Sequence, residues 1–235
     1  MFVIRTPILV RGDIAISTVL FFCSEFPMNC ILETYVPSLA NLPVGSLQPW
    51  EVTSGLEQLI SEWITRLGEE YTVTDGVAVH RDAVIAPNTT IRAPAIIGPG
   101  CHIGANAFLR NGVYLASGVH IGIGCEIKSS ILLEHSAIAH FNYVGDSIVG
   151  RSVNLEAGAV VANHFNERED KVIHVHFEGK RCSTGVEKFG AVIGDETKIG
   201  ANAVLCPGTL LPPGSIVKRL SLVEQDKSFD PPAVE

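Results

Sequence analysis

From Val79 onward the chain carries an aliphatic residue at every sixth position: Val79, Ile85, Ile91, Ile97, Ile103, Leu109, Leu115, Ile121, Ile127 and Leu133. With 46% of residues apolar, ten such positions in unbroken phase arise by chance on the order of once in a few thousand trials. The fifth position of each repeat is small or β-branched: Ala83, Thr89, Ala95, Cys101, Ala107, Val113, Val119, Cys125, Ile131 and Ala137. The slots between hold turn residues, as in IGPGCH, IGANAF and LASGVH, where Gly and Asn tolerate positive φ. This pattern predicts a parallel β-helix over residues 77–219, with three flat faces and three repeats to a coil. Residues 18 apart then stack one rung up the same face, about 4.8 Å away.

The phase slips between Leu133 and Val149, resumes as VGRSVN and LEAGAV, breaks at a loop insertion over 163–190, and returns at Ile193, Ile199, Leu205 and Leu211. A structural repeat is free to continue unbroken, so these interruptions mark something other than stacking. The insertion contains DKVIHVHFEGKRCST, in which Ile173, Val175 and Phe177 alternate with polar residues around Glu178-Gly179, as in a β-hairpin projecting from the solenoid. Ahead of the solenoid, Val52, Leu56, Leu59, Ile60, Trp63 and Leu67 recur at helical spacing, with Pro49 near the start and Gly68 past the end. This helix, about 49–67, is expected to cap the open first coil, because a bare end exposes core and strand edge. Three parts result: an N-terminal segment 1–76, the β-helix 77–219, and a flexible tail 220–235 containing Pro231 and Pro232.

A 235-residue chain with 18% charged residues can bury a proper core. The net charge of −8 lacks the basic field that nucleic-acid binding needs, so any anion site is local. The apolar run from Ile14 is interrupted upstream by Pro7, Gly12 and Asp13, and Phe22 stands where a processing site wants small residues, so residues 1–20 read as neither membrane span nor signal peptide. The six cysteines form no C-x-x-C pair, and Cys101 and Cys125 fall on inward positions, as buried thiols of a cytoplasmic protein.

Arg92, Arg110 and Lys128 are 18 apart and each is second in its repeat, so they form an outward ladder. Stacked like charges repel unless an anion bridges them, which points to a phosphate or nucleotide; three independently solvated side chains are the alternative. His102 and His120 stack by the same arithmetic, as a surface pair. His174 and His176 share one face of the hairpin, solvated rather than metal-binding. His140 lies next to the phase slip in EHSAIAHFNYVGD, where a bend can aim an imidazole into a cleft to remove a proton.

The stretch from LRNGVYLASGVHIGIGCEIK through EHSAIAHFNYVGD to VNLEAGAVVANH resembles the acetyltransferase domain of bacterial bifunctional glucosamine-1-phosphate N-acetyltransferase and UDP-N-acetylglucosamine pyrophosphorylase, a hexapeptide-repeat acyltransferase. KRCSTGVEKFGAVIGD resembles the related archaeal sugar-phosphate enzymes. The resemblance, over about 110–220, implies a left-handed parallel β-helix, a homotrimer with sites between subunits, and acetyl-CoA as co-substrate without a metal. It implies that Arg110 and Lys128 grip a sugar-linked phosphate, that Tyr143 and Asn154 hold the sugar, that His140 is the general base and that Lys188 closes the site. Asn163, Ala157, His164 and Ala201 would line the acetyl-CoA side, with Ala157 near the thioester. The chain departs from the family at His164, where tyrosine is usual, at Ala201, where serine is usual, and in a final coil, LPPGSIVKRL, that ends early without an arginine to meet CoA. Without a glycine-rich loop followed by lysine or an upstream α/β domain, pyrophosphorylase chemistry is not expected. The resulting expectation is N-acetylation of an amino-sugar phosphate or nucleotide-linked amino sugar, with acyl carrier protein as an alternative donor. Two other readings are a non-catalytic solenoid that binds a sugar nucleotide or serves as an assembly platform, and a zinc carbonic-anhydrase-like solenoid suggested by His135 and His140, although Pro99 stands where a third histidine is needed.

Overall fold

In a computed structural model that describes residues 30–226, the six-residue period winds a parallel β-solenoid with three faces. Residues 1–20, Pro231 and Pro232, read above from the sequence, lie outside these residues. Each short strand alternates an inward and an outward side chain, so stacking coils in register buries one column per face. Face I runs through Val77–His80, Ala95–Ile97, the second half of Phe108–Leu115, the second half of Glu126–Leu132, Ile148–Val149, Ala191–Ile193 and Thr209–Leu211. Face II is the 7-stranded sheet from Val84–Ile85 to Ile216–Val217. Face III runs from Thr90–Ile91 through the first halves of the two long strands, Tyr143–Gly145, Val160–Val161 and Val204–Leu205 to Leu222–Val223. Cys101 and Cys125 are buried in the solenoid core, as the repeat requires.

Residues 220–226, expected to begin a flexible tail, are instead packed on the solenoid. Leu222–Val223 closes the last coil, the Gln225 side chain exchanges two 2.8 Å hydrogen bonds with the Leu210 backbone, and Asp226 is buried.

A second core lies outside face I. Its outward column, Ala78, Ile96, Tyr114, Ile131, Ile148, Val192 and Leu210, is as apolar as the inward one. It is covered by three short helices, α1 (Cys30–Tyr35), α2 (Pro49–Ser54) and α3 (Leu56–Ile64). The predicted single helix is thus two, broken at Gly55, with Pro49 in its first turn and the Glu51 carboxylate accepting from the Gln48 amide at 2.8 Å. Val52, Leu56, Ile60 and Trp63 face the sheet, Trp63 meeting Tyr114 edge-on at 5.7 Å. The helices therefore lie along face I rather than over the open coil, because its apolar column offers more surface to bury. The edge strand Val77–His80 is covered instead by Tyr71–Thr74, antiparallel to it.

The insertion forms the predicted hairpin, His174–Phe177 with Lys180–Ser183, turning at Glu178-Gly179 with both φ positive. Ile173, Val175 and Phe177 are buried. They hold the hairpin down on the same outer core, with Phe177 against Tyr35 at 6.0 Å, so it does not project.

Every irregularity of the solenoid falls on one corner, from face III to face I. Inward residues are six apart at the other two corners throughout, for example Ile121 to Ile127 and Leu132 to Ile138. At the face III to face I corner Ile127 to Leu132 and Val144 to Val149 are five apart, and the insertion leaves between Val161 and Ile193. A bulge between Arg110 and Val113 starts the shift. The phase therefore slips at Ser129, before Leu133: Leu132 points inward, Leu133 joins the outer core, and the small inner positions are Ser130 and Ser136 rather than Ile131 and Ala137. Shortening a corner removes a carbonyl from the ladder. Serine hydroxyls take its place: Ser130 Oγ accepts from the Ser147 amide at 3.1 Å, and Ser147 Oγ from the Ala191 amide at 3.0 Å.

Ile131→Ala and Leu132→Ala, adjacent in sequence but facing different cores, each lower the unfolding free energy by about 2–5 kcal/mol in urea titrations; a change within about 0.5 kcal/mol for Ile131→Ala, the range of surface sites, contradicts the outer core. Ser147→Ala strands the Ala191 amide and costs about 1–3 kcal/mol in the same assay.

Candidate active site

The shortened corner gathers charge. Ser129, Asp146 and Asn111 all take left-handed φ there, which turns the chain within one or two residues and swings the flanking side chains onto the end of face III. Lys128 Nζ donates to Asp146 at 2.8 Å to Oδ1 and 2.5 Å to Oδ2, with both side chains nearly buried. Asn163, where the insertion departs, also donates to Asp146. One rung down, Arg110 pairs with Glu126 at 2.6 Å and 2.7 Å and donates to Asn111 Oδ1 at 3.0 Å. Asn111 donates in turn to Glu57 of α3 at 3.1 Å. The helix can come this close because Gly112, at φ 84°, leaves the space where a Cβ would lie 2.9 Å from the Glu57 nitrogen.

The cation ladder stands as its spacing predicts, Arg110 opposite Lys128 and Arg92 below. It is not an open anion clamp. Glu126 and Asp146 neutralise Arg110 and Lys128, and Arg92 lies over the Phe108 ring at 5.1 Å. The repulsion that seemed to demand an anion is relieved within the chain.

Tyr143 stands beside this cluster on face III. Burial first, then the Asp146 and Glu126 carboxylates, push its phenol above the ordinary range, while Arg110 and a hydrogen bond with Asn163 pull the other way. The hydroxyl thus keeps its proton at neutral pH. A pocket of about 290 Å³ opens between the corner and the helices, lined by Thr53, Ser54, Glu57, Asn111, Ser129, Asp146 and Lys188. Lys188, 60 residues along from Lys128, is brought back to the same corner because the insertion ends where it began.

His140 is elsewhere. It is exposed at the corner from face II to face III, which is regular, so no phase slip aims it. Backbone hydrogen bonds stack it in one column with Ile123 below and Ala157 and Ala201 above. The Ala201 amide donates to Glu156 at 2.9 Å and, with Arg219 at 2.5 Å, holds that carboxyl below its usual range. Arg219, in the final coil that was expected to lack an arginine to meet CoA, puts a cation at the end of this column. Asn154 faces outward on face II between Ala137 and Lys198, and His164 is exposed just past Asn163.

The structure therefore brings Arg110, Lys128, Tyr143, Asn163 and Lys188 together, and His140, Ala157 and Ala201 together, but not the two groups. They occupy opposite ends of one face III strand, six residues and at most about 20 Å apart along the chain. Sequence reasoning missed Glu126, Asp146, Glu57, Asn111 and Ser129. Asp146 carried a signal, being 18 residues beyond Lys128, although the shortened corner puts Gly145 in register with Lys128 and Asp146 one residue on; Glu57 carried none. His102 and His120 do stack, 4.8 Å apart and 5° from parallel. His135 and His140 sit at opposite ends of the strand Ala137–Ile138, and no group of three or more His, Cys, Asp or Glu among the described residues could hold a metal. His176 lies 3.5 Å from Asp226, a carboxylate that Arg168 and Arg181 also bind. No helix among the described residues is long and apolar enough to cross a membrane.

Comparison with known proteins places this geometry. The chain is 35% identical over 184 residues to a bifunctional sugar-1-phosphate nucleotidylyltransferase/acetyltransferase of Sulfurisphaera tokodaii, covering 73% of this chain and 45% of that protein. It is 34% identical over 183 residues to the bifunctional protein GlmU of Methanococcus maripaludis, covering 76% and 44%. With the GlmU of Desulfitobacterium hafniense the identity is 31% over 234 residues, 98% of this chain and 46% of that one. The chain thus spans less than half the length of these relatives. Among solved structures it is similar to a mutant perosamine N-acetyltransferase from Caulobacter crescentus, in complex with CoA and GDP-perosamine, at 18% identity and TM-score 0.31 over 61% of this chain and 53% of that one. It is similar also to a hexapeptide transferase family protein from Anaplasma phagocytophilum, at 20% identity and TM-score 0.30 over 63% and 74%. The family model for the GMPPB C-terminal domain matches residues 91–227, more than half of the chain and all but the first part of the solenoid, and the chain belongs to that family.

Proposed function

We propose that the chain transfers an acetyl group from acetyl-CoA to the amine of an amino-sugar phosphate or nucleotide-linked amino sugar. The observation that carries this reading is the column at the regular corner, where an exposed imidazole, His140, heads a run of small residues, Ala157 and Ala201, that leaves room for an extended thioester. The relative named as a bifunctional sugar-1-phosphate nucleotidylyltransferase/acetyltransferase supports it. In the step, the amine nitrogen attacks the thioester carbonyl carbon, the new C–N bond forms and the C–S bond breaks. His140 removes the proton from the amine, and the CoA thiolate leaves, taking up a proton. Arg219, 70% exposed and held only by a surface pair with Glu156, can turn toward the phosphates of CoA, since such pairs are worth little.

The acceptor is held at the other end of the strand, by Tyr143, Asn163 and Lys188, with Arg110 and Lys128 behind them. One copy separates these groups from His140, so a complete site draws them from two copies. Face I is covered by its own helices, and faces II and III are left to meet another chain. This agrees with the homotrimer that the resemblance implies.

A second reading, a solenoid that binds a sugar nucleotide without turnover, is favoured by one observation: the carboxylates of Glu126 and Asp146 already occupy the cations meant for phosphate.

With acetyl-CoA and glucosamine 1-phosphate or UDP-linked amino sugars, His140→Ala lowers kcat by about 10²–10⁴-fold and leaves the KM for the sugar nearly unchanged. Wild type and variant equally inactive, with nucleotide sugar still bound, select the second reading. Titrating acyl carrier protein against acetyl-CoA in the same assay identifies the donor. Mixing His140→Ala and Lys188→Ala subunits, each inactive alone, restores about a quarter of wild-type activity, the statistical share of sites that draw both intact side chains from different copies. No recovery on mixing means that both groups serve within one chain.

A further inference from the structure

The residue that follows each face II strand stacks in a crowded column. Backbone hydrogen bonds set Ala86, Gly104, Gly122, Ala139, Glu156 and Gly200 one above another. A Cβ at Gly104 would lie 2.7 Å from the Gly122 carbonyl carbon, and one at Gly200 2.5 Å from the Arg219 nitrogen. Small residues are therefore the rule here. The last coil, with no strand stacked beyond Ile216–Val217 on this face, holds Lys218. Glu156 alone breaks the rule between Ala86 and Gly200, so stacking is not what selects a glutamate there.

Its carboxylate reaches two donors in later coils. One oxygen accepts from the Ala201 amide at 2.9 Å, the other from the Arg219 guanidinium at 2.5 Å. The carbonyls of His140, Ala157 and Ala201 at this corner are taken by the amides of Gly158, Asn202 and Leu220, whereas the Ala201 amide is taken by a side chain. Neither bond rescues a buried group: the Glu156 and Arg219 side chains are 38% and 70% exposed, and water would satisfy both. What the two donors share is their place. They flank the route given above to the acyl donor, Ala201 along the thioester arm and Arg219 beside the phosphates. A carboxylate that accepts from an amide and pairs with a guanidinium stands in for both parts of such a ligand, an amide carbonyl and a phosphate.

We propose that Glu156 is a gate on the acyl-donor site. Its carboxylate holds the Ala201 amide and Arg219 while no donor is bound, and swings into solvent when acetyl-CoA takes them. This deepens the function proposed above and rests on it, since that reading lays acetyl-CoA along His140, Ala157 and Ala201. The exchange is close to balanced: a carbonyl oxygen replaces the carboxylate at the amide, a phosphate replaces it at Arg219, and Glu156 is left hydrated. The donor's apparent affinity is then reduced by the fraction of chains in which the gate is open.

The test is donor binding with no acceptor present. Affinities of the full chain for acetyl-CoA and for S-acetylpantetheine, which lacks the phosphates, are measured by ligand-observed NMR for wild type, Glu156→Gln and Glu156→Ala. Glu156→Ala binds acetyl-CoA roughly 3–10-fold more tightly than wild type, the range for losing one exposed ion pair and one exposed hydrogen bond as competitors. Glu156→Gln, whose side-chain oxygen still accepts from Ala201 but no longer pairs with Arg219, gains less. S-acetylpantetheine, which makes no use of Arg219, gains less than acetyl-CoA from Glu156→Ala. Acetyl-CoA bound by Glu156→Ala no more tightly than by wild type overturns the gate and leaves the donor reading standing. Equal gains for the two ligands overturn the part given to Arg219. Acetyl-CoA bound by neither wild type nor Glu156→Ala removes the donor reading itself, and the gate with it.

Discussion

A parallel solenoid tolerates little freedom in how long each coil is. Inward side chains must land on the column below, one rung away, and a one-residue error turns a strand's apolar face outward. Any change of coil length must therefore be absorbed at a corner. In this chain the bulge at Asn111 and Gly112, the lost residues at Ser129 and Asp146, and the insertion after Asn163 all use the same corner. Two of its three corners remain strict, and the third becomes the place where non-repeating residues can be placed.

That concession is stabilised by polar groups that a regular coil does not need. Ser130 and Ser147 replace missing carbonyls, and the Lys128–Asp146 pair fills the turn. With 12% and 8% side-chain exposure, the pair is buried enough that losing either partner leaves an uncompensated charge, about 3–5 kcal/mol by analogy with buried pairs elsewhere. The Arg110–Glu126 pair, 27% and 34% exposed, is closer to a surface pair and contributes correspondingly less. Lys128 thus belongs as much to the architecture as to any ligand, which explains how a cation ladder can exist without an anion in it.

The six-residue period was legible because every inward slot must be aliphatic, and the 18-residue arithmetic correctly stacked His102 on His120 and Arg110 beneath Lys128. The slip was misplaced because Ile131, Leu132 and Leu133 are all aliphatic and satisfy either phase; register alone decides among them. The outer core left a trace that could have been read, since the face I segments AII, SIL, SIV, AVI and TLL are apolar or small throughout, the mark of a strand buried on both sides. The helix's place along that face follows from this trace better than from the need to cap an end. The pocket was not legible at all: Glu57 meets Asn111 across 54 residues, and no local pattern encodes such a meeting.

Covering face I also constrains assembly. A bare solenoid could meet its copies through any of three faces, whereas here helices and hairpin occupy one, and the exposed apolar residues Phe141, Ile123, Leu220 and Ile216 lie on the face II to face III corner or beside it. His140 stands on that same corner, while the pocket lined by Glu57, Asn111, Ser129, Asp146 and Lys188 faces the helices at the far end of face III. On the proposed function, an acceptor held by Tyr143, Asn163 and Lys188 lies most of a strand away from the His140 of its own chain. A neighbouring chain's corner, brought against face III, closes the distance without moving either group. On this reading the accessory layer on face I has two effects at once: its helices line the pocket beside Asp146 and Lys188, and it leaves only the surfaces on which a neighbour can supply the base.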